Sequence, residues 1–288
     1  MGAAAFFGYL FLSGSPLATV YIFCLARKSF LVLLSLASAF YWLVTLFLIS
    51  ALFRGFTPLS PSIGPYIGLV LVAVLIQEAS RFLLWRFHKL SLRALEFVSG
   101  LQEHAGSELL PNDHFSLSLT HGLAHSIVHT LFFCISWLPL SLGDGTIYTA
   151  SCPQMSYYLV CSLTTLGFSG ILTGAMVIAF EGMERQDWKR GGAPPVVLHL
   201  LGGLFTLINF SQGGCVVSVP LVLAEGIFVS VFAGKVWWRC TDSREQQRRR
   251  YSSNHHGVSE SAHTVDGDVT RSPRAPGAGA ATLQQHLE

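Results

Sequence analysis

Charge is what this chain has least of. Of its 288 residues only 12% are Asp, Glu, Lys or Arg, where an average soluble domain carries about 25%. With 51% of the residues hydrophobic, the scarcity of charge excludes a solvated globular domain over most of the length and places most of the chain in lipid. No Lys or Arg precedes Arg27, so the basic n-region of a cleavable signal peptide is missing and the first apolar segment is expected to stay in the protein. Phe6 stands where a myristoylation signal requires Ser or Thr. Every aspartate (Asp113, Asp144, Asp187, Asp242, Asp266 and Asp268) falls outside the apolar runs, which excludes an aspartyl intramembrane protease. The absence of His-Glu-x-x-His excludes a zincin. Cysteine is sparse, at 6 residues. Cys24, Cys134 and Cys161 fall inside apolar runs, where a thiol behaves as a small hydrophobe.

The apolar residues are gathered into runs. A helix needs about 20 of them to cross the bilayer core, and seven runs qualify, at roughly 3–26, 30–53, 64–85, 116–140, 156–180, 194–210 and 215–238. The expected fold is all-α, a polytopic membrane protein with seven transmembrane helices. Gly213-Gly214 predicts a tight turn between the last two.

The few charges set an orientation. Basic residues follow the first run (Arg27, Lys28), the third (Arg86, Lys89, Arg93), the fifth (Arg185, Lys189, Arg190) and the seventh (Lys235, Arg239, Arg244, then Arg248-Arg249-Arg250). The remaining loops hold only Arg54. Cytoplasmic loops retain Lys and Arg, so the N-terminus is expected to be lumenal or extracellular and the C-terminus cytosolic. Cys240 then faces the cytosol, and Cys152 and Cys215 share the lumenal side, which leaves a single disulfide open. Beyond residue 240 the composition turns to Ser, Arg, Gln, His, Gly and Pro, too poor in apolar side chains to offset the entropy of ordering. The expected domains are a transmembrane unit over 1–240 and a disordered cytosolic tail over 241–288.

Polar residues at membrane depth are costly and each needs a reason. Gln77, Glu78 and Arg81 lie in the third run. Glu78 and Arg81 are three apart and share a helix face, as a packing pair near the boundary or as a polar joint between helices or subunits. In the fourth run Gly122, Ser126 and Thr130 form a row of small residues at spacing four, which lets two backbones approach closely. That approach serves packing within the chain or assembly. Beside it run His121, His125 and His129. The outer two stand about 12 Å apart along a helix, too far for one ion, so a polar interior is preferred over a metal site. His199 in the sixth run and Glu225 in the seventh should face the bundle interior.

Several stretches resemble one family. Met1-Gly-Ala-Ala-Ala-Phe-Phe-Gly8, Ala39-Phe-Tyr-Trp-Leu-Val44, Ile76-Gln-Glu-Ala-Ser-Arg-Phe82, Gly122 with Ser126, Phe180-Glu181, Glu184-Arg185 and Trp188, His199-Leu200-Leu201, and Phe205-Thr-Leu-Ile-Asn209 are similar to APH-1 proteins, in order, over about 1–238. The resemblance implies the non-catalytic seven-helix scaffold of γ-secretase, assembling with nicastrin, presenilin and the small fourth subunit. Presenilin supplies the catalytic aspartates, and the complex cleaves type I membrane proteins such as Notch and the amyloid precursor protein. It implies endoplasmic reticulum, Golgi, endosomal and plasma membranes, no cofactor and no nucleic-acid partner. Gly122, Ser126 and Thr130 take the place of the family's helix-four glycines, with only the first retained, which suggests looser packing. His199 matches the second of two family histidines, and Leu172 stands at the first.

Two other classes share features with this chain. Gly167-Phe168-Ser169-Gly170 has the G-x-S-G form of a rhomboid-like serine protease, with His199 one helix later as its base. A seven-helix receptor would share the orientation, but the third run lacks Asp/Glu-Arg-Tyr and the seventh lacks Asn-Pro-x-x-Tyr.

Overall fold

The computed structural model describes residues 3–56, 63–100, 111–143 and 145–263. Seven helices are long and apolar enough to cross a membrane, and no strand occurs among the described residues. They are α1 (Ala3–Cys24), α2 (Ser29–Phe56), α3 (Ile63–Gly100), α4 (Pro111–Ser141), α5 (Tyr157–Glu184), α6 (Ala193–Leu207) and α7 (Cys215–His263).

Helix ends follow backbone chemistry, and hydropathy marks only the lipid-embedded part. α3 runs past its expected end near 85 to Gly100, and α4 starts at Pro111, ahead of 116. Leu92, Leu95 and Glu96 are good helix formers in water as in lipid. The side chain of Ser156 caps α5 by accepting from the Leu159 N–H at 3.2 Å. A π-helical turn over Trp188–Gly192 leads into α6, which opens on Pro194 and Pro195, where a missing N–H costs nothing. After α6 the chain tightens into a 3₁₀ turn at Ile208–Phe210 and reverses at Gly213, whose φ of +71° suits glycine. The predicted helical hairpin is present.

The chain divides into two units, Met1–Arg244 and Glu245–Glu288. The first holds the bundle. The backbone of α7 is helical to His263; residues 264–288 of the expected tail lie outside the described ones.

α5 is the axis of the bundle. Of its membrane-spanning window 67% is buried, against 17% of α1. It packs on α1, α4 and α6, while α2 and α3 complete the layer through α4 and α6. The outer faces carry the large apolar side chains, such as Phe11, Leu33, Phe40 and Trp238, as suits a lipid solvent. With lipid as apolar as the interior, association rests on close van der Waals packing and interhelical hydrogen bonds. Glycines supply the first. A Cβ added at Gly167 would lie 2.8 Å from the Val222 carbonyl oxygen of α7, at Gly170 2.8 Å from that of Gly226, and at Gly174 2.9 Å from that of Val229. One face of α5 is thus kept bare so that α7 can lie against its backbone.

Candidate functional site: a buried polar joint and a small-residue face

α3 delivers Gln77, Glu78 and Arg81 to the interior, and α6 delivers His199. Arg81 is 2% exposed and His199 is 2% exposed, so neither charge nor ring meets lipid. The carboxylate of Glu78 joins them. Its Oε2 accepts from Arg81 Nη1, and its Oε1 lies 2.7 Å from His199 Nδ1. An ionised Glu78 accepts from both, which places the imidazole proton on Nδ1. The i,i+3 pair expected on α3 is therefore present, and it is also a joint between helices. Sequence reasoning treated Glu78–Arg81 and His199 as separate; they stand 121 positions apart, and no spacing rule connects them. Arg81 Nε and Nη2 and Gln77 Oε1 have no protein partner among the described residues. Gln77 and His199, with His129 of α4, line a cavity of about 920 Å³ that also reaches Cys152 and Cys215.

The small residues of α4 face α5. A Cβ added to Gly122 already has its own place in van der Waals space taken: a substituent would meet the Thr173 carbonyl oxygen at 2.8 Å. One turn on, Ser126 Oγ bonds the Ser169 carbonyl at 3.0 Å and shares a 2.8 Å hydrogen bond with Thr173 Oγ1. Ser126 does not loosen this contact. It replaces a bare backbone approach by two hydrogen bonds across the helices. Thr130 points elsewhere: its methyl lies 4.0 Å from where Gly14 of α1 would carry a Cβ. The row is thus an internal seam whose third member turns to a different helix.

The histidine column does not act as a unit. His125 lies flat on Trp42, with centroids 4.2 Å apart and planes at 13°. His121 meets His88 edge-on at 5.3 Å, and His129 stacks on Phe133 at 4.9 Å. Each ring packs against a different aromatic neighbour. Among the described residues no group of three or more His, Cys, Asp or Glu is arranged to hold a metal. Leu172 is buried with Trp42 and Leu46, part of an apolar wall.

Ser169 and His199 do not form a dyad. Ser169 Oγ donates to the Leu166 carbonyl at 2.7 Å, while His199 is held by Glu78. The Gly167–Gly170 stretch is instead the packing face for α7. Glu225 is buried on α7, with neither carboxylate oxygen bonded to a described residue. Gly202 of α6 makes room for it: a Cβ there would stand 3.1 Å from Glu225 Oε2.

At one end of the bundle a disulfide joins Cys152, in the loop before α5, to Cys215 at the start of α7, with Cα atoms 5.9 Å apart. The Gly213 N–H donates to the Ser151 carbonyl at 2.6 Å beside it. The disulfide left open by the sequence is formed.

A family model described as Aph-1 protein matches residues 4–240. The gamma-secretase subunit APH1-like of Arabidopsis thaliana is 36% identical over 248 residues, covering 85% of this chain and 98% of that protein. The gamma-secretase subunit APH-1B of Homo sapiens is 30% identical over 233 residues, covering 77% of this chain and 86% of that one. The gamma-secretase subunit Aph-1 of Drosophila melanogaster is 27% identical over 246 residues, covering 85% and 96%. With seven membrane-length helices, a family match over residues 4–240 and relatives of this kind, the chain is a multi-pass membrane protein that belongs to the Aph-1 family.

Proposed function

We propose that this protein is a non-catalytic scaffold subunit of a γ-secretase complex, assembling with presenilin, nicastrin and the small fourth subunit to support cleavage of type I membrane proteins. Family membership supports a γ-secretase subunit. The observation that carries the scaffold role is the use made of the polar side chains. Ser169 and His199 are tied to their own bundle, and among the described residues no aspartate lies in a membrane-spanning helix segment. What the bundle leaves open is surface for other helices. A groove of about 560 Å³ lies between α1 and α7, with Ser230 and Gly234 of α7 along it. Small residues let a partner's transmembrane helix approach.

We place the N-terminus in the lumen and the C-terminus, with a tail over 241–288, in the cytosol, in endoplasmic reticulum, Golgi, endosomal and plasma membranes. Two independent signals support this orientation. Basic residues cluster at one end, and the Cys152–Cys215 disulfide sits at the other, where an oxidising lumen would keep it.

Gly234 tests the scaffold reading. A Cβ there meets nothing within 4 Å, so Gly234→Leu fills the groove and leaves the chain's own packing intact. After affinity purification in mild detergent, the variant should fold as the parent does but retain less of the partner subunits. Full retention would remove the groove from assembly, and recovery of no γ-secretase component by the parent chain would overturn the proposal.

A further inference from the structure

At the end of the bundle opposite the disulfide, the last turns of α5, the π-helical turn and α7 enclose a second groove, of about 730 Å³. Four cations border it: Arg185, Lys189, Lys235 and Arg239. Two carboxylates, Glu181 and Asp187, are also there, and Glu181 is paired with Arg185 at 3.0 Å. Four positive and two negative groups leave the rim net positive. The ammonium groups of Lys189 and Lys235, on different elements, make no hydrogen bond or ion pair among the described residues.

The wall below these cations is apolar. Ile178 of α5 and Phe232 of α7 line it, and Trp238 stands at its mouth, 70% exposed. Tryptophan settles at the level of lipid headgroups, and here it stands where the apolar part of α7 gives way to Lys235 and Arg239. Cations on top, a tryptophan at the boundary and an apolar wall beneath repeat the layering of a phospholipid: anionic head, glycerol, acyl chain. A zwitterionic headgroup offers a net-positive rim no net charge. An anionic one does, and basic pockets between transmembrane helices are where such headgroups bind.

We propose that this groove binds one anionic phospholipid of the adjoining leaflet, with its phosphate between Lys189 and Lys235 and an acyl chain along Phe232. It rests on the orientation given above only in naming that leaflet as the cytosolic one.

Native mass spectrometry of the full-length chain in detergent tests it, with phosphatidylinositol 4-phosphate and phosphatidylcholine of equal chain length as probes. One molecule of the anionic lipid should be retained in preference to phosphatidylcholine. The double variant Lys189→Gln, Lys235→Gln should weaken that retention by about 25-fold, at roughly fivefold for each cation near a headgroup. The double variant Lys189→Arg, Lys235→Arg should restore it, which separates charge from folding. Arg27→Gln with Lys28→Gln, the same loss of charge on a loop outside the groove, should leave it unchanged. Equal retention of both lipids, equal weakening by the Arg27/Lys28 pair, or displacement by free inositol 1,4-bisphosphate as effective as by the lipid would overturn the proposal. Partner subunits retained on the same samples report separately on assembly: bound lipid without partners would sink the scaffold reading alone.

Discussion

His199 of α6 and Arg81 of α3 are held by one carboxylate, that of Glu78. The joint makes the orientation of α3 against α6 depend on a side chain that is itself only 10% exposed. Removing Glu78 strands two partners, whereas removing His199 strands one hydrogen bond.

Glu78→Gln should therefore lower the melting temperature of the detergent-purified chain more than His199→Ala does. Breaking a buried pair by removing one partner costs about 3–5 kcal/mol in soluble proteins. The double variant Glu78→Gln, Arg81→Gln should be less harmful than the two singles summed, by about 1–2 kcal/mol. Strict additivity would show that the two groups are not coupled. His199→Ala should reduce the yield of the assembled complex through packing.

Gly122→Leu should destabilise the chain itself, because its substituent meets the backbone of α5. Leu131→Ala, on the lipid-facing side of the same helix, should stay within about 0.5 kcal/mol of the parent. Measured by thermal aggregation of the solubilised chain, equal effects would contradict the α4–α5 seam.

Ser126→Ala loses two hydrogen bonds to α5 and should cost about 1 kcal/mol each in melting experiments. Ser126→Gly, which restores a bare backbone approach, should cost less than two such bonds. A larger loss from glycine than from alanine would mean that the helices cannot close the gap.

Ser169→Ala should leave both assembly and proteolysis by the complex near normal, since its hydroxyl only returns to the Leu166 carbonyl. The purified chain alone should cleave no membrane substrate. Cleavage abolished by Ser169→Ala would revive the serine-protease alternative.

Engineered glycosylation acceptors between 145 and 150 should be modified once clear of the membrane, and acceptors in 182–193 should not. The native Asn209-Phe210-Ser211 should stay bare, because Asn209 lies in a 3₁₀ turn directly on the end of α6. Modification in 182–193 would invert the bundle.

The seven spans were legible because lipid demands a length and a composition, and both can be counted along the chain. The ends of α3 and α4 were less so, since a helix can continue where apolarity stops. Glu78 with Arg81 was readable as an i,i+3 pair, but its link to His199 lies in tertiary space. The small row on α4 announced a close contact without saying with what; α5 holds the answer in Ser169 and Thr173. Gly167, Ser169 and Gly170 left a protease alternative open because the residues that permit backbone contact are also those of a nucleophile motif. The spacing of the histidines pointed to a polar interior, and only the positions of Trp42, His88 and Phe133 show which ring each one packs against.

The disulfide has a consequence in time. Its two cysteines are 63 positions apart, with α5 and α6 between them, and the second opens α7. Cys215 reaches the oxidising side only when the sixth helix has crossed the bilayer, so the bond can close only on a chain threaded correctly through its last hairpin. In the proposed orientation it is a covalent receipt of completed insertion, and a chain with an inverted final hairpin would be left without one.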